Sequence, residues 1–260
     1  MDRAALEVEV NKVLKDDSIH YQDQIKIVVE RFAKDDESTA IVHKLIGDVC
    51  YPDAPWEVTE HYSEAVRLWD EMGIENLEVA DVCEKLALSW REIMSPEEME
   101  EYYLKALKIK EKLLDANDPD LAQLYNNVAN AIFYEPEKAI DYHLKALNIR
   151  LNNFGENALI TAESYYNLGA AYVKNKNYSD GLEYLNKALV IRISEWGEEN
   201  PDVAMVYGHI GGAYYEQGDF VKALEVFTHA YEILKKTVTA KHPCAKQMKK
   251  NLDAAKKQLS

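Results

Sequence analysis

Histidine, cysteine and acidic side chains are the groups in this sequence that could bind a metal or transfer a proton. The histidines are scattered along the chain, at His20, His43, His61, His143, His209, His229 and His242. They form no HExxH pair and no cluster with cysteine, whereas a zinc site needs three or four convergent ligands. We therefore predict no metal site, and we expect His143 and His229 at packing positions within helices.

Nucleotide-binding and hydrolase signatures are also missing. The sequence has no GxxxxGK[ST], GxGxxG or GxSxG segment. Cys50, Cys83 and Cys244 lie far apart, which fits a reducing compartment rather than a disulfide framework. The glutamates within 97–101 favour the start of a helix, where carboxylates complement the helix dipole, over a catalytic pair. These observations predict a protein that is not an enzyme and that binds no cofactor.

Charge restricts the partners that we expect. The formal net charge is -16, yet residues 235–260 hold eight lysines against one acid. An acidic body disfavours nucleic acid, whose phosphates are neutralised by Lys and Arg. We expect the lysine-rich end to be solvated, or to associate with an acidic surface such as another copy, or with an anionic membrane. Because there is no apolar leader and no run of 18 apolar residues, we expect a cytoplasmic protein without a membrane span.

The strongest pattern is a repeat. A tripeptide of the type Lys-Ala-Leu recurs at intervals of 40, 42 and 42 residues, with its alanine at 106, 146, 188 and 230. A fixed period in this range indicates a repeat array. Apolar residues at helical spacing flank a polar turn at 175–177, which predicts a hairpin of helix A and helix B. Small residues are expected at close contacts between helices: Gly169, Ala188, Gly208, Gly211 and Gly212.

The repeat predicts an all-α solenoid of antiparallel hairpins in three segments. Residues 1–36 form a degenerate hairpin, 37–238 an array of about five hairpins, and 239–260 a lysine-rich capping helix. The capping helix has an apolar stripe at Cys244, Met248, Leu252, Ala255 and Leu259. A polar residue followed by proline predicts the start of a helix at Asp118-Pro119, Asn200-Pro201 and His242-Pro243.

These residues resemble the tetratricopeptide repeat (TPR) consensus. The consensus order of an aromatic residue, Leu-Gly, Tyr and a helix-B Ala is met at Tyr165, Leu168-Gly169, Tyr172 and Ala188. The period exceeds the usual ~34 residues, and the connector at 197–204 looks like the long kinesin-light-chain type. The resemblance implies a right-handed superhelix with helix A along its concave wall.

The resemblance also implies a groove that binds an extended peptide. The family often has Asn or Lys before the Leu-Gly pair, and the matching residues here are Lys85, Asn127, Asn167 and His209. Other residues on the same face are Gln123, Tyr134, Glu163, Lys174 and Glu216. An Asn amide can donate to and accept from a peptide bond, and Lys85 could hold a carboxylate. Alternatively, the Asn residues only solvate a helix surface.

The predicted function is a non-catalytic scaffold or adaptor that binds a protein or peptide segment. The alternative is a regulatory or sensor subunit whose superhelix responds to a peptide or small ligand.

Overall fold

The computed structural model describes residues 1–16, 18–51, 53–239 and 241–259. These residues form thirteen α-helices and no strand, so the predicted all-α fold is confirmed. They divide into two compact units, Met1–Asp115 and Ala116–Ser260. Over the described ranges, no helix combines the length and apolarity needed to cross a membrane.

The first unit contains six helices. Their bounds are α1 Arg3–Leu14, α2 Tyr21–Phe32, α3 Asp36–Cys50, α4 Pro55–Glu71, α5 Leu77–Glu92 and α6 Pro96–Leu113. Helix α1 packs against α2 and α3, while α3 pairs with α4 and α5 with α6. The last two pairs are hairpins in which the odd-numbered helix is helix A and the even-numbered helix is helix B.

The second unit contains seven helices. Their bounds are α7 Pro119–Ala131, α8 Pro136–Phe154, α9 Leu159–Lys174, α10 Tyr178–Trp196, α11 Pro201–Glu216, α12 Phe220–Thr237 and α13 Pro243–Gln258. Hairpins form between α7 and α8, α9 and α10, and α11 and α12. Helix α13 packs on α12 and also contacts α11.

The predicted proline starts are confirmed at α7, α11 and α13. In α7 the Asp118 carboxylate accepts from a backbone N–H, and in α11 the Asn200 side chain does the same. In α13, His242 Nδ1 accepts from the backbone N–H of Cys244 at 3.3 Å. Helix α13 thus begins at Pro243 rather than at 239, because its cap is His242. Met248, Leu252 and Ala255 are buried as expected, but Leu259 lies beyond the helix and is 47% exposed.

The glycines expected at close contacts do not all behave alike. A β-carbon at Gly169 would lie 2.8 Å from Leu185 Cγ, and one at Gly211 would lie 2.7 Å from the Phe227 ring. At Gly208 it would lie 2.6 Å from the mobile end of the Met248 side chain. The close contact expected at Gly212 is wrong, because a β-carbon there would meet no atom within 4 Å.

Candidate functional site

Three A helices of the second unit carry most of the predicted site residues. Helix α7 bears Gln123 and Asn127, α9 bears Glu163, Asn167 and Lys174, and α11 bears His209 and Glu216. Tyr134 lies in the turn between α7 and α8 and is 54% exposed. We call the surface formed by these eight residues the helix-A face.

Lys85, the other predicted site residue, lies on α5 of the first unit. Its ammonium donates to Asp48 Oδ1 at 2.9 Å, and the Tyr62 hydroxyl donates to the same oxygen at 2.7 Å. Burial opposes ionisation of Asp48, but hydrogen bonds from Lys44, Lys85 and Tyr62 outweigh it and lower the pKa of Asp48. Lys85 would therefore have to leave Asp48 in order to bind a carboxylate of a ligand.

A buried arginine lies beneath the helix-A face. Arg150 of α8 has a side chain that is 1% exposed, and its guanidinium donates to the Ile160 carbonyl and the Ser164 hydroxyl, both at 3.0 Å. It also donates to Gln123 Oε1 at 2.8 Å, and Glu163 Oε2 lies 3.6 Å away. Burial lowers the pKa of Arg150, and the Glu163 carboxylate opposes that shift. One side chain thereby links α7, α8 and α9.

The guanidinium sets the direction of the neighbouring hydrogen bonds. Because arginine can only donate, Gln123 must turn its Oε1 towards Arg150. Its Nε2 then donates to Asn127 Oδ1 at 3.1 Å. Asn127 consequently accepts through its oxygen and keeps its amide nitrogen as a donor for another group.

The same arginine acts on a buried histidine. Asn126, 1% exposed, can accept from Arg150 Nη1 at 3.0 Å while its amide nitrogen donates to His143 Nδ1 at 2.8 Å. Burial, and secondly the charge of Arg150, lower the pKa of His143 to about 4. His143 is therefore a neutral acceptor at pH 7, and its expected packing position is confirmed. His229 is not packed in this way, because its side chain is 46% exposed beside Glu198.

We expect His143→Gln to reduce the acid sensitivity of folding. The unfolded chain binds a proton near the ordinary histidine pKa of 6.5, and the folded chain only near a pKa of about 4. This stabilisation is complete above pH 6.5 and is lost as the pH falls towards 4. Between pH 7 and pH 5, wild type should lose about 2 kcal/mol more unfolding free energy than the variant.

The measurement is urea unfolding at pH 7, 6 and 5, with His20→Gln at an exposed position as the control. The other buried histidines are present in both proteins. If the pH curves of wild type and His143→Gln run parallel, the assignment of a neutral buried imidazole is wrong.

A small cavity lies between the hairpin α7–α8 and helix α9. It measures about 160 Å³, and Asn167, Lys174 and Phe133 are among its lining residues. The Lys174 ammonium is 4.0 Å from the centre of the Phe133 ring, which is itself 52% exposed. The half-buried amide of Asn167 forms no hydrogen bond to any residue that the structure describes. This amide can therefore bond to a ligand.

His209 and Glu216 occupy a different place. The half-buried His209 ring meets the Tyr166 ring edge-on, with centroids 4.8 Å apart, and Arg192 lies 4.7 Å above the same tyrosine ring. Burial, and secondly the charge of Arg192, lower the pKa of His209. The imidazole is thus mostly neutral at pH 7. Glu216, at the end of α11, is exposed.

Sequence reasoning missed Arg150, although a signal for it exists. Cations recur in the 40- and 42-residue register of helix B, at Lys110, Arg150 and Arg192, and the series ends at Leu234. Lys110 is equally buried, with 7% of its side chain exposed, and it pairs with Asp81 on its own helix A. A cation that repeats on an apolar helix stripe indicates a structural group, because burial of an unpaired charge is costly.

Metal chemistry finds no support in the described ranges. No group of three or more His, Cys, Asp or Glu side chains within residues 1–16, 18–51, 53–239 and 241–259 could hold a metal ion. The three cysteines are free.

Comparison with known families agrees with the helix-hairpin geometry. The tetratricopeptide repeat model matches residues 135–192 and 161–236, which span α8 to α12. This chain is a tetratricopeptide repeat protein. No curated protein sequence matches this TPR chain.

Solved TPR structures resemble the chain over most of its length. BtubC (BKLC) from P. vanneervenii has a TM-score of 0.62 and 21% identity, covering 92% of this chain and 91% of that chain. A putative kinesin light chain from Podosopora anserina has a TM-score of 0.62 and 18% identity, covering 75% and 94%. YrrB, a TPR protein with an unusual peptide-binding site, has a TM-score of 0.54 and 16% identity, covering 87% and 97%. At these identities the likeness shows the fold, including the kinesin-light-chain-like form.

Proposed function

We propose that this TPR protein is a non-catalytic interaction scaffold whose helix-A face binds an extended segment of a partner protein. The observation that carries the proposal is the amide of Asn167, which lines a cavity and lacks a hydrogen bond within the described chain. Beside it, Phe133 offers an exposed ring and Lys174 a cation. One repeat earlier, Asn127 offers an amide donor.

These groups suit a peptide better than a small metabolite. Asn127 and Asn167 occupy equivalent positions 40 residues apart on successive A helices, so they can bond to successive parts of one extended backbone. The surrounding charges are mixed, with Glu163 and Lys174 on the same helix. The printed description of YrrB as a peptide-binding TPR protein gives the proposal further support.

The test is affinity capture with purified wild type and with an Asn127→Ala/Asn167→Ala variant, followed by a peptide array of the captured protein. The variant should melt within a few tenths of a kcal/mol of wild type, because Asn127 is half-buried and Asn167 bonds to no described residue. We expect an array segment that binds wild type and binds the variant at least about tenfold more weakly.

The matched control is Asn152→Ala/Asn186→Ala, which removes two exposed asparagines from the B helices α8 and α10. This control should retain full binding. Equal binding by wild type and the Asn127→Ala/Asn167→Ala variant would place the interaction away from the helix-A face.

A further inference from the structure

A second, larger cavity lies between α11 and α13. It measures about 440 Å³, which is within the usual range of ligand pockets, about 300–1,000 Å³. Apolar side chains form most of its wall, including Met205, Phe227 and Met248. Gly212 adds a stretch of bare helix backbone, since a β-carbon there would meet no atom within 4 Å. The cavity can therefore hold a bulky apolar group.

The charge at the cavity is of one sign. Glu216 carries the only carboxylate among the lining residues, and no lysine or arginine lines the cavity. Glu216 is exposed and forms no ion pair with any residue that the structure describes. His209 also lines the cavity, and its lowered pKa keeps it mostly uncharged at pH 7. The cavity thus offers an uncompensated negative charge beside an apolar wall.

Helix α13 adds a pair of amides to the lining. Gln247 and Asn251 lie one turn apart, and Gln247 Nε2 donates to Asn251 Oδ1 at 2.8 Å. Gln247 keeps its oxygen as an acceptor, and Asn251 keeps its nitrogen as a donor. Such a pair complements the N–H and C=O groups of a peptide backbone.

We propose that this cavity binds a bulky aliphatic or aromatic side chain of a partner peptide in which lysine or arginine is the next residue. The apolar side chain contacts Met205 and Met248, and the cation pairs with Glu216. This inference rests on the proposed function, because it names the side chains that the end of the helix-A face selects.

The test uses the full chain labelled with ¹³C at its methionine methyl groups. Met205 and Met248 line the cavity, while Met1, Met72, Met94 and Met99 lie in the first unit and serve as internal references. The probe is the acetylated, amidated hexapeptide Ala-Ala-Leu-Lys-Ala-Ala. We expect saturable shifts of the Met205 and Met248 signals at peptide concentrations up to about 1 mM, as for a single weak anchor.

Two further peptides separate the apolar and the charged contributions. Replacing leucine by alanine in the probe should abolish the shifts. Replacing lysine by glutamate should weaken binding at least about threefold, and Glu216→Gln should remove that preference. Unshifted Met205 and Met248 signals with the Leu-Lys peptide, or equal shifts with the alanine peptide, would overturn the inference.

Gly212→Leu tests the cavity without damaging the fold. The added side chain enters open space inside a helix, so the variant should fold at least as well as wild type. We expect it to weaken the Leu-Lys peptide at least about tenfold. Undiminished binding by this variant would overturn the inference.

The two proposals can fail separately. A partner segment captured through Asn127 and Asn167, with unshifted Met205 and Met248 signals, would overturn only the cavity inference. Peptide-induced shifts that persist in Asn127→Ala/Asn167→Ala support the cavity, even if that variant captures partners as well as wild type does.

Discussion

Gly169→Leu is expected to destabilise the second unit by about 3 kcal/mol or more. At Gly169 a new β-carbon would lie 2.9 Å from the backbone nitrogen of Leu185 and 3.0 Å from the carbonyl oxygen of Gly181. These are backbone atoms of α10, so no rotation of a side chain can relieve the contact. The whole leucine would have to separate α9 from α10, and Leu168 and Leu185, both fully buried, would lose packing.

The matched control is the same substitution at Gly212, also inside a helix A. No atom lies within 4 Å of a β-carbon there, and leucine favours helix more than glycine does by up to about 1 kcal/mol. Urea unfolding followed by circular dichroism should therefore show a large loss for Gly169→Leu and no loss for Gly212→Leu. Equal losses at both sites would mean that the crossing of α9 and α10 is not what selects glycine at 169.

The fold was predictable because each hairpin repeats the same packing requirement. Gly169 and Gly211 are 42 residues apart and both meet a large side chain of helix B, so one clear unit predicts the other. Gly212 aligns instead with Ala170, and the repeat register alone would have separated it from the crossing glycines. The start of α13 was less predictable, since its position depends on the His242 cap.

The site was predictable only in part, because its contacts join different repeats. The helical period places Asn127, Asn167 and His209 on equivalent helix positions, but it does not reveal what each touches. Lys85 contacts Asp48, 37 residues earlier on another helix A. Pairings of this kind depend on the packing of neighbouring hairpins.

Arg150→Ala is expected to reduce the unfolding free energy by about 3 kcal/mol. Alanine would leave the Ser164 hydroxyl, fully buried, and the Ile160 carbonyl without the donor that they now share. It would also leave an empty space under α7 and α9. Arg150→Met keeps the apolar stem and removes a buried cation whose desolvation is costly, so it should cost about half as much.

A second measurement separates the charge of Arg150 from its packing. The Arg150 charge is the second cause of the low pKa of His143, after burial. In Arg150→Met the pKa of His143 should therefore rise above about 4, as seen by NMR titration of the imidazole, although the histidine stays buried. An unchanged His143 pKa, together with equal losses for the alanine and methionine variants, would show that Arg150 acts by volume alone. A raised pKa with a smaller loss for methionine supports a buried charge that α7, α8 and α9 share.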